Sequence, residues 1–313
     1  MRRGEASRTS FSVCGVEQVD GNVPLTGEDI PVSGADGTKL YARAGAPNYT
    51  YDGRNLQEVF GTAAALHEAV AAGDFSRIRV GDYWPVTLNG DFYDLGDSTS
   101  KTLSNALLKM EVAGIDTYYN YGDTPAPHHL LMCSRDCLPV MLKMRSADTT
   151  WYNTSIAVPW IGSAMYETLN NATNGLLALL AALDIGSYIY AGPNNAGMRY
   201  LGELKASGAA TVTGGAWSDR GKIFLPCEQE LWGQSIWAEY TWGGGCPVQW
   251  PIFVGSMRHM IKGLGNGGDR ASWWYASSAV GSPSDFCYLN AGGRPGTAAA
   301  SSLYSVPICC LFV

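Results

Sequence analysis

The chain is short of charge. Asp, Glu, Lys and Arg make up 16% of its 313 residues, against about 25% in an ordinary soluble protein. Its 28 acidic and 21 basic residues leave a net charge of −7, and the cations form no stripe. Affinity for a phosphate backbone comes from clustered Lys and Arg, so nucleic acid is excluded as a partner class. Long apolar runs are also missing. The longest, Leu176 to Leu183, falls far short of the roughly 20 residues that a spanning helix needs, which excludes membrane insertion through a helix. Met1-Arg2-Arg3-Gly4-Glu5 carries positive charge with no apolar stretch behind it, so no secretory signal is expected and synthesis in the cytoplasm follows. Cysteine is sparse for the length: eight residues, at 14, 133, 137, 227, 246, 287, 309 and 310, lack the density of a disulfide scaffold. Buried free thiols are expected. Cys309 and Cys310 are neighbours that point to opposite faces of a strand, which makes them poor partners for each other. The sequons at Asn48, Asn153 and Asn171 mean little without a secretory route.

What the chain has instead is 38 Gly, 10 Trp and 17 Tyr in a sequence that is 46% hydrophobic. That is enough apolar surface for a sizeable core, built on aromatic packing and tight turns. Residues 1–75 read as an N-terminal arm and helix serving attachment or oligomerisation. The arm is polar and carries turn signals at Asp20-Gly21, Gly34-Ala35-Asp36-Gly37 and Ala46-Pro47-Asn48. Its helix spans Asn55 to Ala72, where Leu56, Val59, Phe60, Leu66 and Val70 recur at helical spacing ahead of Gly73-Asp74.

Residues 76–313 read as the main domain. Tyr83 to Leu88, the pair Asn89-Gly90 and Asp91 to Leu95 predict a hairpin turning at Asn89-Gly90, and His129 to Met132 predicts a further strand. Met165 to Leu183 predicts a second helix, or two shorter ones given Asn170-Asn171 and Gly175. Pro226 to Gly233 reads as one helical turn with acidic residues at its start and Gly at its end. Beyond Thr241 the pattern is of short strands joined by glycine-supported loops, where binding function usually sits. The fold class expected is α+β: two helices on a small, twisted, mostly antiparallel sheet, with a loop-rich C-terminal lobe.

The array Ile78-x-Val80-Gly81-Asp82-Tyr83, Gly162-Ser163-x-Met165-Tyr166, Leu225-Pro226-x-Glu228, Lys262, Trp273-Trp274-x-x-Ser277, Phe286-Cys287-x-x-Asn290-x-Gly292 and Val306-Pro307-Ile308-Cys309-Cys310 resembles a family of domains of unknown function in phage and prophage proteins of gut bacteria. The resemblance covers residues 76–313. The family's closing stretch often reads tryptophan-leucine-arginine-serine and later valine-arginine-proline; here Tyr275 and Ala276 stand for the leucine and arginine, and Val306-Pro307 lacks the arginine. The same ending resembles the C-type-lectin-like fold of the formylglycine-generating-enzyme type, as used by variable proteins of diversity-generating retroelements. The resemblance implies a non-enzymatic virion or tail component that binds a host cell-surface protein or glycan, contacts other virion proteins, and forms a homo-trimer. A capsid decoration protein and an enzyme acting on a surface polymer are the alternatives.

Between Trp273 and Tyr304 the mixture of Ser, Ala, Gly, Tyr and Asn is that of a paratope, with rigid aromatic area beside adaptable hydrogen-bonding groups. Local strand alternation assigns Trp274, Phe286, Leu289, Ile308 and Leu311 to the core. It assigns Trp273, Tyr275, Ser278, Ser284, Asp285, Tyr288, Asn290, Arg294 and Tyr304 to a ligand-binding surface. No cofactor is called for. His128-His129 with Cys133 and Cys137 is the nearest approach to a metal cluster but fits no familiar zinc spacing, and no catalytic cysteine–histidine pair is assigned. Glu228 and Glu230 lie two apart, where helical side chains do not face each other, so a helix-start role is expected over paired acid–base work. Gly243-Gly244-Gly245 and Gly263 to Gly268 lack the context of phosphate loops. A formylglycine-type oxidase would need reactive cysteines, for which Cys287, Cys309 and Cys310 are the candidates.

Overall fold

The computed structural model describes residues 52–147, 160–197, 212–237, 249–254, 257–279, 282 and 284–313, with backbone strands at 29–33, 39–43 and 199–205. The three turns expected in the arm, the glycine run 243–245, Cys14 and Cys246, and the sequons at Asn48 and Asn153 lie outside these residues. Two compact units divide the chain, Met1–Asp52 and Gly53–Val313. In the first, strand β1 (Asp29–Ser33) pairs antiparallel with β2 (Lys39–Arg43).

The second unit begins before the helical segment that the sequence assigns to the arm, so the boundary after residue 75 moves to the start of that segment. The segment is two helices, α1 (Leu56–Phe60) and α2 (Ala63–Ala71), capped by the side chains of Asn55 and Thr62. A second cap in mid-segment gives the chain an alternative to one continuous helix. Both helices belong to the main unit because their apolar faces and polar ends are used there. Leu56, Leu66 and Val70 are fully buried, Ala63 N–H donates to Asp184 at 3.1 Å, and His67 Nδ1 lies 2.5 Å from the Val313 carbonyl.

Four strands form the main sheet in the order β11-β5-β4-β3, all neighbours antiparallel. They are β3 (Tyr83–Asp94), β4 (Thr99–Ile115), β5 (Leu130–Ser134) and β11 (Cys309–Phe312). The expected turn at Asn89-Gly90 is a correction: β3 runs straight through it, and the chain reverses at residues 95–98. The register slips there instead, with Leu88 opposite Ala106 but Gly90 opposite Leu103. One residue on β3, Asn89, thus faces two on β4, Ser104 and Asn105. Asn105 takes up the extra residue at φ 48° and its N–H donates to Asn89 Oδ1 at 2.6 Å. The bulge has a packing reason. Leu103 and the Ala106, Leu108, Met110 set fall on opposite parities, and only an inserted residue lets all four point into the core.

The long apolar segment around Met165 is the two-helix alternative: α3 (Ala164–Asn170), capped by Ser163, and α4 (Leu176–Ala181). A side chain at Gly175 would meet the Thr168 carbonyl at 2.6 Å and that of Asn171 at 2.7 Å, which is how closely the chain folds back between them. A hairpin of β6 (Arg199–Lys205) and β7 (Val212–Asp219) follows, then α5 (Glu228–Trp232), which ends at Gly233 as expected.

The C-terminal sheet has the order β10-β9-β8, with β8 (Trp273–Ser278), β9 (Asp285–Leu289) and β10 (Pro295–Ala299) antiparallel. The architecture is mixed α+β, with antiparallel sheets and short helices around a shared core. Four buried indoles anchor it. Trp160, Trp250, Trp273 and Trp274 donate to Arg220 O, Tyr118 OH, Met260 O and Leu142 O at 2.7–3.0 Å, so each buries a large apolar area without stranding its N–H.

Gly175→Ala is expected to destabilise the protein by about 2–4 kcal/mol, because the contacts at that position are backbone and cannot rotate away. Urea unfolding followed by tryptophan fluorescence measures this, and a change under 0.5 kcal/mol would show that the α3–α4 turn can open freely.

Candidate functional site

The nine display positions separate. Trp273 and Tyr275 are fully buried and Ser278 is 5% exposed, so their placement on the surface is corrected. Alternation fails in β8 because that strand is covered on both faces, and all six of its residues are buried. A sheet strand sandwiched in this way carries no solvated face for period-two patterning to report. The five core positions, Trp274, Phe286, Leu289, Ile308 and Leu311, are buried as expected.

Of the two acidic residues of α5, Glu228 bonds to β8. Glu228 Oε1 accepts from Tyr275 OH at 2.7 Å, and the Glu228 N–H donates to Ser277 Oγ at 2.9 Å. The same carboxylate accepts the backbone N–H groups of Ile236 at 2.6 Å and Trp237 at 2.9 Å. Glu230, two residues on, points into a different cluster. It accepts from Cys227 N at 2.7 Å, from both terminal nitrogens of Arg220 at 2.5 Å, and from Tyr118 OH. Burial opposes the charge of Arg220, yet the Glu230 carboxylate holds its pKa well above the ordinary arginine value. The two carboxylates are therefore occupied in fastening segments, beyond the helix-start role expected of them. Burial, with Cys287 and Glu228 beside it, raises Tyr275 well above the usual tyrosine range.

Of the remaining display positions, Asn290 closes the β9–β10 turn: its Oδ1 accepts from Gly292 N at 2.9 Å and Arg294 N at 3.0 Å. Ser284 and Asp285 are partly exposed at the other end of β9 and bond each other at 3.2 Å. That end lies four residues from Leu289, roughly 13 Å away at strand rise. Arg294 is exposed at the hairpin tip. Tyr288 and Tyr304 do come together. Their rings stack at 4.5 Å and 14°, both edge-on to buried Trp274 at 6.3 and 4.8 Å. Trp274, Tyr288 and Gly296 are register partners across the three strands, and a side chain at Gly296 would meet the Tyr288 ring at 3.0 Å. The missing side chain is what lets that ring lie over the edge strand. Tyr304 is raised by burial and by its hydrogen bond with Tyr288.

A second concave feature was not legible as a site. An open groove of about 650 Å³ runs along the outer face of β3–β4 and is lined by Thr87, Leu107, Lys109, Arg135, Asp136 and Asn266. Lys109 packs 4.4 Å over the Tyr83 ring, while Arg135 is tied to buried Glu111. The alternation of Leu107 and Lys109 with buried Leu108 and Met110 was the available signal, but it requires knowing that β4 continues past residue 105.

No protein-family model, curated protein or solved structure matches this chain. The chemistry of the remaining candidates is local. Among the described residues no three metal-ligating side chains converge. His128 donates from Nδ1 to Asp116 at 2.7 Å, whereas His129 donates from Nδ1 to Pro127 O at 2.8 Å and accepts Tyr118 N–H at Nε2, 3.1 Å. Cys287 faces Tyr275 and Glu228, while Cys309 lies opposite Cys133.

Two outcomes follow. Glu230→Gln removes the carboxylate that binds both terminal nitrogens of buried Arg220 and is expected to cost about 3–5 kcal/mol, read by denaturant unfolding. Burial holds the His129 imidazole below its usual value. The unfolded chain then binds the extra proton below about pH 6.5. The stability from this group is intact above that pH and declines as pH falls towards the lower folded value, by at most about 1.4 kcal/mol per unit. Melting curves from pH 7.5 to 5.5 should show the decline in the wild type and a flatter response in His129→Gln; equal slopes would remove His129 as the cause.

Proposed function

We propose that this chain is a non-enzymatic binding protein that recognises a host cell-surface protein or glycan as a component of a phage-type particle. In this reading the unit from residue 53 onward is a C-type-lectin-like domain. The observation that carries it is the partly exposed Tyr288–Tyr304 stack seated on buried Trp274. Aromatic rings already ordered by packing lose little conformational freedom when a ligand arrives. They offer apolar faces to a sugar ring or an apolar side chain, with hydroxyl groups at the edge. Arg294 at the adjoining hairpin tip adds an exposed cation able to hold a ligand carboxylate in two hydrogen bonds. The occupation of both Glu228 and Glu230 in structural bonds favours binding over hydrolysis, since acid–base work on a polymer needs two carboxyls free to meet one bond.

The surface comprises Tyr288, Tyr304 and Arg294, with Ser284 and Asp285 at its far end. The resemblance to variable proteins of diversity-generating retroelements makes sequence diversification of this hairpin part of the proposal. A homo-trimer and contacts to other virion proteins belong to the same reading.

Purified protein should bind intact host cells or a glycan array. Tyr288→Ala and Arg294→Ala should each weaken that binding about tenfold, near the 1.4 kcal/mol of a moderate hot spot. Lys109→Ala in the β3–β4 groove should leave it unchanged, with melting temperature confirming that all variants fold. Loss confined to Lys109→Ala would move the site to the groove. Turnover of surface polysaccharide by the wild-type protein would sink the binding-only reading, and retention by particles without any host ligand would favour a decoration protein.

A further inference from the structure

Cys133 on β5 and Cys309 on β11 are direct register partners in an antiparallel pair. The bonds on either side define the kind of pair. Ser134 N–H donates to Ile308 O at 2.8 Å, so 134 and 308 form the hydrogen-bonded step. The Cys309 carbonyl is turned away and accepts from Phe224 N at 2.9 Å. Cys133 and Cys309 therefore occupy the non-hydrogen-bonded step, where Cα atoms lie about 4.5 Å apart and side chains are closest. That falls inside the roughly 4.4–6.8 Å span of disulfides. Neither thiol reaches solvent, with exposures of 1% and 0%.

A third group completes the arrangement. Lys262 is 1% exposed, and its ammonium donates to Ser134 O at 2.5 Å and Arg135 O at 3.2 Å. It lies 5.7 Å from the centre of the Trp273 ring. The fully buried ammonium has the Glu111 carboxylate and the Cys133 sulfur within electrostatic reach, and the residue whose carbonyl it holds, Ser134, follows Cys133 directly.

We propose that Cys133 and Cys309 form a redox-active pair, oxidised by a small peroxide to a cross-strand disulfide that fastens β11 to β5, with Lys262 stabilising the Cys133 thiolate. The Cys133 thiolate attacks one peroxide oxygen; the O–O bond breaks and the departing hydroxide takes a proton to become water. The Cys309 sulfur then attacks the Cys133 sulfenic acid, the S–O bond breaks, and the Cys309 proton leaves with hydroxide as a second water. Two thiols and one hydrogen peroxide thus become one disulfide and two waters. Hydrogen bonds from Cys309, with Lys262 nearby, hold Cys133 low, whereas burial pushes Cys309 well up and Cys310 to about 12. Burial likewise raises Cys137 and Cys287. Among the thiols so shifted, Cys133 alone is moved towards reactivity, and the pair is independent of what the surface binds.

The test uses the native full-length protein, treated with hydrogen peroxide, alkylated after denaturation and mapped by peptide mass spectrometry. A Cys133–Cys309 linked peptide should dominate over every other pairing, reverse with dithiothreitol, and accompany a rise in melting temperature of about 5–10 °C. Cys309→Ser should abolish the link and let dimedone, added with the denaturant after the peroxide is removed, trap a sulfenic acid at Cys133. Lys262→Met should slow formation of the link about tenfold. Recovery of both cysteines as free thiols, links scattered over other cysteines, or dimedone capture at another position in Cys309→Ser would each overturn the proposal.

Discussion

Two carboxylates in one turn of helix, Glu228 and Glu230, hold together segments that are far apart in the chain. Side chains two residues apart on a helix diverge, so each serves a separate neighbourhood. Glu228 reaches Tyr275 of β8 and the backbone at Ile236 and Trp237. Glu230 reaches Arg220, Tyr118 and its own helix start. Buried charge is costly unless paired and hydrogen-bonded, and these groups meet that condition by collecting several donors each. The position of β8, and through it the whole C-terminal sheet, depends on this junction.

The low charge content takes on a physical meaning from this arrangement. Several of the few charges lie inside: Asp82, Glu111, Arg220, Glu228, Glu230 and Lys262 are all buried. Asp82 accepts Arg54 N–H at 2.8 Å and Arg79 N–H at 2.9 Å where the second unit starts, and Ser163 caps α3. Asp82, Ser163, Glu228 and Lys262 thus act as internal joints. An array of joints specifies how segments meet and leaves the surface free to vary.

The C-terminal lobe shows how a rigid interior supports an exposed feature. Trp274 is locked by its bond to Leu142 O, and the Tyr288–Tyr304 stack rests edge-on against it. The order of the partly exposed rings is inherited from the buried one. The same interior packing that seats Trp273 brings Lys262 beside β5, where Cys133 meets Cys309 across the strands.

Local chemistry in the sequence determined the α+β class, the helix around Leu66, the break near Gly175, the turn from Pro226 to Gly233 and the buried frame of Trp274, Phe286 and Ile308. Periodicity, caps and breakers act within a few residues, so they can be read without the fold. Tertiary structure alone decided the rest. Asn89-Gly90 became part of a bulge because Leu103 and Leu108 both had to face the core. The helices at 56–71 joined the main unit because their apolar faces are buried there. Trp273 and Tyr275 went inside because β8 is covered on both faces, where alternation carries no information. Whether a side chain in a strand meets water depends on what packs above and below the sheet, and those partners, Met260 for Trp273 and Glu228 for Tyr275, come from other parts of the chain.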